Sequence, residues 1–247
     1  MLACSDTVDI QRYRRGRRGE ITVFDPLADI DRALAERAGW TWFDDHLRYT
    51  CGVLDLLRRD ELGRLPATPT RVRLDPREVC LADGPGQWAF WRATGDGSWK
   101  PNNVYVAGSP AFVAAAQLSN ALADEMRRQQ ARAAAQPRWI TERPGSVMIS
   151  NRRIHLGNPD HVFAIRWQAL ETIDLTAPDR VVARYARRNG TLLQWQLQSP
   201  WAVLVFVVAA QRYFPNHPLL RSGNWLPAGF EEKCHLAGKT CPRVRER

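Results

Sequence analysis

Residues 145–167 read GSVMISNRRIHLGNPDHVFAIRW, and the spacing of apolar residues within them decides the fold. Val147 and Ile149 alternate with Met148 and Ser150, the period of a strand with one buried face. The alternation resumes at Ile154 and Leu156 and stops at Gly157-Asn158-Pro159-Asp160, a cluster of turn-formers. It restarts at Val162, with Phe163, Ile165 and Trp167 sharing a face. Strands joined this tightly pair antiparallel, because a parallel pair needs a long crossover between its members.

Downstream the same period continues. Thr172–Leu175 and Val181–Tyr185 flank Pro178-Asp179, and Thr191–Gln198 follows Arg187-Arg188-Asn189-Gly190. Asn-Gly is a strong hairpin signal because both residues tolerate positive φ. Leu193, Trp195 and Leu197 alternate with Gln194, Gln196 and Gln198, so one face is buried and the other wet. Ser199-Pro200 then predicts a helix from Trp201 to Phe214, ending at Pro215. Trp201, Leu204, Val205, Val208 and Ala209 form its inner face, and Val203, Phe206 and Val207 occupy much of the rest. A helix this apolar needs cover on more than one side.

Upstream, Asp25-Pro26 predicts a helix start, with Leu27, Ile30 and Leu34 on one face. A second helix after Gly39 carries Phe43, Leu47, Cys51 and Leu54, and Gly63 is its expected terminator. This helical hairpin, 25–64, is too small to stand alone and is expected to pack on the main domain. Pro66 and Pro69 mark a linker. Residues 78–91 predict a first sheet hairpin turning at Asp83-Gly84-Pro85-Gly86, and 103–107 a short strand. Ser109-Pro110 opens the longest helix, which stops before Pro137. Ala111, Ala115, Leu118, Leu122 and Met126 give it a narrow stripe. Beyond Met126 the sequence is RRQQARAAAQ, so its distal half is expected to meet solvent or a partner. Trp139-Ile140 returns to the sheet. Residues 1–24, with RYRRGRR, read as a flexible basic arm. Residues 215–247 read as an irregular tail anchored by Trp225 and Phe230.

The order strand, Ser150-Asn151-Arg152-Arg153-Ile154, strand, turn, strand ending at Trp167, then Leu170 and Ile173 resembles bacterial PH-like and GRAM-like domains. The resemblance covers roughly residues 70–214 and is interrupted by the helix 109–136, which the family pattern lacks. It implies an α+β fold: a curved antiparallel sheet or barrel closed by the helix beginning at Pro200. It also implies a scaffold that displays loops to partners. Lipid-binding members carry cations in the loop of the first hairpin. Asp83-Gly84-Pro85-Gly86 carries none, so a membrane lipid is not the expected ligand.

The chain has 247 residues and a formal charge of +9, which invites a nucleic-acid reading. The quality of the charge weakens that reading. Of 35 basic residues only Lys100, Lys233 and Lys239 are lysine, as a GC-rich coding bias would give. Five scattered cysteines, an odd number, argue against a secreted disulfide scaffold. No signal peptide is expected, and the run Trp201–Ala210 is far short of the ~20 residues a spanning helix needs. The expected location is cytoplasmic.

Candidate chemistry is sparse. Cys234, His235 and Cys241 lack the spacing of a structural zinc site. His155 and His161 flank one turn and could meet across it, yet two ligands make a poor site. Asp44, Asp45 and His46 are adjacent on a helix and point in different directions. There is no phosphate-binding Gly-rich loop and no nucleophile elbow. The sequence therefore predicts no enzyme, no cofactor and no metal. It predicts an interaction module that binds a protein partner, with Arg127, Arg128, Arg132 and Arg138 as the contact. The alternative is a nucleic-acid-associated protein that uses these and Arg12–Arg18, with weak, sequence-independent affinity.

Overall fold

The computed structural model describes residues 26–101, 107–187 and 189–245. The basic arm with Arg12–Arg18, and most of the strand expected at 103–107, lie outside the described residues. The chain is a mixed α+β protein built on an antiparallel sheet of eight strands. Strands β1 (Cys80–Arg92), β2 (Arg138–Thr141), β3 (Gly145–Ser150), β4 (Arg153–Gly157) and β5 (Val162–Arg166) are followed by β6 (Leu170–Ala177), β7 (Arg180–Ala186) and β8 (Leu192–Gln198). Their order is β5-β4-β3-β1-β8-β7-β6, with β2 extending the β3 edge of β1. The two end strands, β5 and β6, do not pair with each other. The sheet is open, and the strands do not close into the barrel that the resemblance allowed.

The two halves of the sheet meet in β1. Asp83-Gly84-Pro85-Gly86 makes no turn, and one strand runs straight through it. Its first half pairs with β3 and its second with β2 and β8. The glycines serve close approach instead. A Cβ on Gly84 would lie 2.6 Å from Trp201 Nε1, and one on Gly86 2.2 Å from Val147 Cγ2. Pro85 has no amide hydrogen to offer a neighbour, and its carbonyl accepts from Ser199 Oγ at 2.9 Å. Local turn propensity lost to tertiary packing here.

Helix α4 (Ala202–Tyr213) lies across the inner face, and every residue from Ala202 to Ala210 is buried. It packs on β6 and β7 on one side and on α2 (Trp42–Arg58) on the other. Trp201 is the N-cap, not the first core turn. Its ring is half-buried against His46 and Tyr49, at centroid distances of 4.2 and 5.5 Å. Trp201→Ala should therefore cost about 1–2 kcal/mol, below the ~3–5 kcal/mol of a fully buried ring. Urea midpoints beside those of Phe206→Ala, whose ring is fully buried, check the difference.

Helix α1 (Pro26–Arg37) does not form a self-contained hairpin with α2. Its main contact is with α6 (Phe230–Leu236). Gly39, at φ 61°, closes α1, with Trp40 N–H bonded to Ala35 O and Gly39 N–H to Glu36 O, as a left-handed C-cap requires. The same pattern ends α2 at Arg58, before Gly63. Asp60, at φ 57°, takes the left-handed position, with Glu61 N–H on Leu56 O. The C-terminal residues are not an irregular tail. α5 (Pro218–Ser222) and α6 place Leu220, Trp225, Phe230, Cys234 and Val244 in the core.

β3 is buried on both faces, because the supposed linker covers its outer one. Thr70 Oγ1 donates to Met148 Sδ at 2.9 Å, and Glu78 meets Ser150. Trp167, fully buried, donates its indole N–H to Ser150 O at 2.9 Å, which ties the end of β5 to the end of β3.

Candidate functional site

α3 (Pro110–Ala135) leaves the sheet and returns to it, with Ser109 Oγ as its N-cap acceptor. At ~1.5 Å per residue it is about 39 Å long, and none of its residues is buried. Its half-buried side carries mainly small residues, Val113, Ala116, Ala123, Ala131 and Ala134, with Asn120, Asp124 and Arg128 among them. The larger apolar residues point the other way: Phe112 is 58%, Leu118 65%, Leu122 61% and Met126 62% exposed. The anchored end is the distal one. Thr94 and Gly95 N–H both donate to Ala134 O, and Gly95 and Gly97 lie against Ala134 and Ala135. The expectation that only the distal half projects is thus reversed, because alanine packs closely on glycine while the bulky stripe finds no cover.

The four predicted arginines do not gather on one face. Arg127 pairs with Asp124 at 3.3 Å and Arg128 with Glu125 at 3.5 Å. Arg128 also lies 4.7 Å from the Trp99 ring centroid. Arg132 follows Arg128 on one side of the helix, and Arg127 stands about 100° away from Arg128. Arg138 is on β2, opposite Arg92. Only Arg132 and Arg138 lack a carboxylate among the described ion pairs. The Trp91–Trp139 pair, 5.5 Å between centroids, lies beside Arg138.

Sequence reasoning missed a polar cluster at the other end of the sheet. Glu78, with a fully buried side chain, accepts from Arg153 Nε at 2.9 Å, Arg153 Nη2 at 2.6 Å, Ser150 Oγ at 2.6 Å and Asp75 N–H at 2.9 Å. Burial raises its pKa, but the bonds from Arg153, Ser150 and Asp75 outweigh burial and bring it to about 2. His155 is buried with Nε2 3.9 Å from Glu78. Burial first, and the Arg153 charge second, hold its pKa below the usual imidazole value. His161 lies exposed in the following turn, so the two histidines make no pair.

Outside this pair lies a hollow of about 270 Å³. Arg152, from the β3–β4 turn, Arg166, at the end of β5, and Arg212 and Tyr213, in the last turn of α4, line it with Gln168 and Asp75. A more open apolar groove of about 410 Å³ lies beside the middle of β1, between Trp42, Phe43, Pro85, Pro144 and Pro200.

The remaining candidates resolve as structure. Asp44 closes a capping box with Thr41 and accepts from Lys233 Nζ at 2.8 Å. Burial opposes its ionisation, but Lys233 and Thr41 prevail and lower its pKa. Asp45 accepts from the Trp40 indole N–H, and His46 Nδ1 donates to the Trp42 carbonyl, so these three side chains serve separate ends. The neighbouring Cys51 thiol and burial push the pKa of Cys241 far up. Protonated thiols are poor metal ligands. Among the described residues no group of three or more His, Cys, Asp or Glu is placed to hold a metal ion. No described helix is long and apolar enough to cross a membrane. No protein-family model matches this chain, and no curated protein matches it.

Proposed function

We propose that this chain is a non-enzymatic, PH-like interaction module that captures a helical segment of a partner protein on the outer face of α3. The observation that carries the reading is the row Phe112, Leu118, Leu122 and Met126, exposed on a helix that buries none of its residues. A contiguous apolar row in water is the usual mark of a binding surface. An amphipathic helix laid along it would cover it with anchors at i, i+3, i+4 and i+7. Arg132, beside the row and without a carboxylate partner among the described residues, favours a helix with an acidic flank. The PH-like assignment draws support from the order of β3, the Ser150–Ile154 turn and Trp167, and from a helix lying across an open antiparallel sheet. The described cysteines are free, which suits a reducing, cytoplasmic setting. A nucleic-acid role is disfavoured, because Arg127 and Arg128 are spent on neighbours and Arg138 sits on another element.

Two designed helical peptides test this, both with a Leu face, one with Glu flanks and one with Lys flanks. The Glu peptide should bind in the ~10⁻⁶–10⁻⁵ M range and the Lys peptide at least ~10-fold more weakly. Leu122→Asp should weaken the Glu peptide about 30-fold, the loss of one anchor of ~2 kcal/mol. If neither peptide binds, or Leu122→Asp changes nothing, α3 is not the contact. If the free protein sediments as a dimer that Leu122→Asp dissociates, a second copy is the occupant.

A further inference from the structure

We infer that the hollow between the β3–β4 turn, the end of β5 and the last turn of α4 is a binding site for a phosphate monoester. Four arginines line it, and their charges are not equally committed. Arg153 is held by Glu78 and by Asp75 at 3.1 Å, so its charge is balanced inside the protein. The guanidinium groups of Arg152, Arg166 and Arg212 have no carboxylate or hydrogen-bond partner among the described residues. Asp75, the acid at the rim, is itself taken up by Arg153.

The placement of Arg166 costs the free protein stability. The register sets it directly opposite Arg153 on β4, and like charges facing across a strand pair repel. Glu78 quiets only one of the two. An anion in the hollow removes the remaining repulsion between Arg166, Arg152 and Arg212.

The chemistry selects phosphate over carboxylate. Three guanidiniums offer more forked N–H donors than two carboxylate oxygens accept, whereas a phosphate monoester presents three oxygens and nearly two negative charges at neutral pH. Gln168 and the Tyr213 hydroxyl add neutral donors at the same hollow. The carbonyl end of α4 points negative partial charge nearby, which a weakly charged ligand would feel and a clamped dianion would outweigh. A single hollow of this size fits one phosphate with a few attached atoms. It gives no track for successive phosphates of a nucleic acid. Among the described residues that line the hollow, Tyr213 is the one large ring and the rest are polar or charged, so the phosphate is expected on a soluble small molecule.

The test is thermal unfolding and calorimetry with inorganic phosphate, phenyl phosphate, acetate, and vesicles with and without phosphatidic acid. Phosphate and phenyl phosphate should raise the midpoint by mass action, and acetate should do so at least ~10-fold less effectively. Arg152→Gln with Arg166→Gln should abolish the phosphate response, while Arg166→Gln alone should raise the midpoint in phosphate-free buffer. Binding to phosphatidic acid vesicles as well would identify a lipid source of the same group; binding of phenyl phosphate alone identifies a soluble one. No response to any phosphate, a response equal to that of acetate, or one that survives the double substitution overturns the site.

Discussion

Replacing Glu78 by Gln is expected to cost about 3–5 kcal/mol, the cost of stranding one partner of a buried ion pair. Against a typical total of about 5–15 kcal/mol this leaves the fold marginal. The amide keeps the shape but loses the charge, so Arg153 retains only Asp75, whose side chain is half exposed. Ser150 Oγ and the Asp75 amide lose a charged acceptor together. The dependence on acid follows from the same contacts. The carboxylate titrates near 4.5 when unfolded and near 2 when folded. Its contribution is therefore complete above about pH 4.5 and is lost as the pH falls toward 2, a span worth about 3 kcal/mol. His155 acts in the same sense. It is buried neutral, with a folded pKa below the usual value, so the unfolded chain gains a proton first as pH drops below about 6.5. Urea midpoints from pH 7 to pH 3 check both effects: the wild type should lose stability throughout, and Glu78→Gln should start lower and fall less. A midpoint change under ~1 kcal/mol at pH 7 would show that Arg153 rearranges without cost. Pairing Glu78→Gln with Arg153→Met should recover part of the loss, since it removes the stranded charge.

This network also shows where reading the sequence stops. Ser150-Asn151-Arg152-Arg153-Ile154 is plain in the chain, but its carboxylate lies 75 positions away, at the start of the stretch that reads as the first sheet hairpin. Glu78 carries no local mark, because a charged residue near prolines is what any exposed loop contains. The phosphate hollow is hidden for the same reason. Arg152, Arg166 and Arg212 come from three elements and are brought together only by how β4 and β5 pair and where α4 ends. Among some thirty arginines, no spacing separates these from the rest.

Periodic segments were legible because one local force dominates them. The strands of 145–167, the alternation Leu193, Trp195, Leu197, and α4 with its apolar circumference all fold as their spacing says. α3 shows the limit of that rule. Its stripe is real, but a helical wheel says only which residues share a side. The face turned to the body is set by what it meets there, and Gly95 and Gly97 admit alanine and not leucine. Asp83-Gly84-Pro85-Gly86 fails oppositely: composition says turn, whereas the glycines are there for lack of room.

Lack of room makes the second large effect, and one substitution tried at two glycines exposes it. Gly145→Ala is expected to destabilise by about 3 kcal/mol or more, at or above the upper end of the usual cost of overpacking. Gly145 begins β3 opposite Gly86. A Cβ there would lie 2.1 Å from the Gly157 carbonyl oxygen and 2.9 Å from Trp88 Cη2. The first neighbour is backbone held in the β3–β4 ladder, and the second is the tip of a buried ring, so neither can step aside cheaply. Gly52, inside α2, has nothing within 4 Å of its Cβ position. Its helical backbone suits alanine, so Gly52→Ala should stabilise by about 0.5–1 kcal/mol by reducing the freedom of the unfolded chain. Composition and propensity treat the two changes alike; only tertiary distance separates them. Urea midpoints should therefore move in opposite directions. If Gly145→Ala stays within ~1 kcal/mol of the wild type, β3 and β4 are not held as closely as their ladder requires, and the turn that presents Arg152 and Arg153 is not rigidly placed.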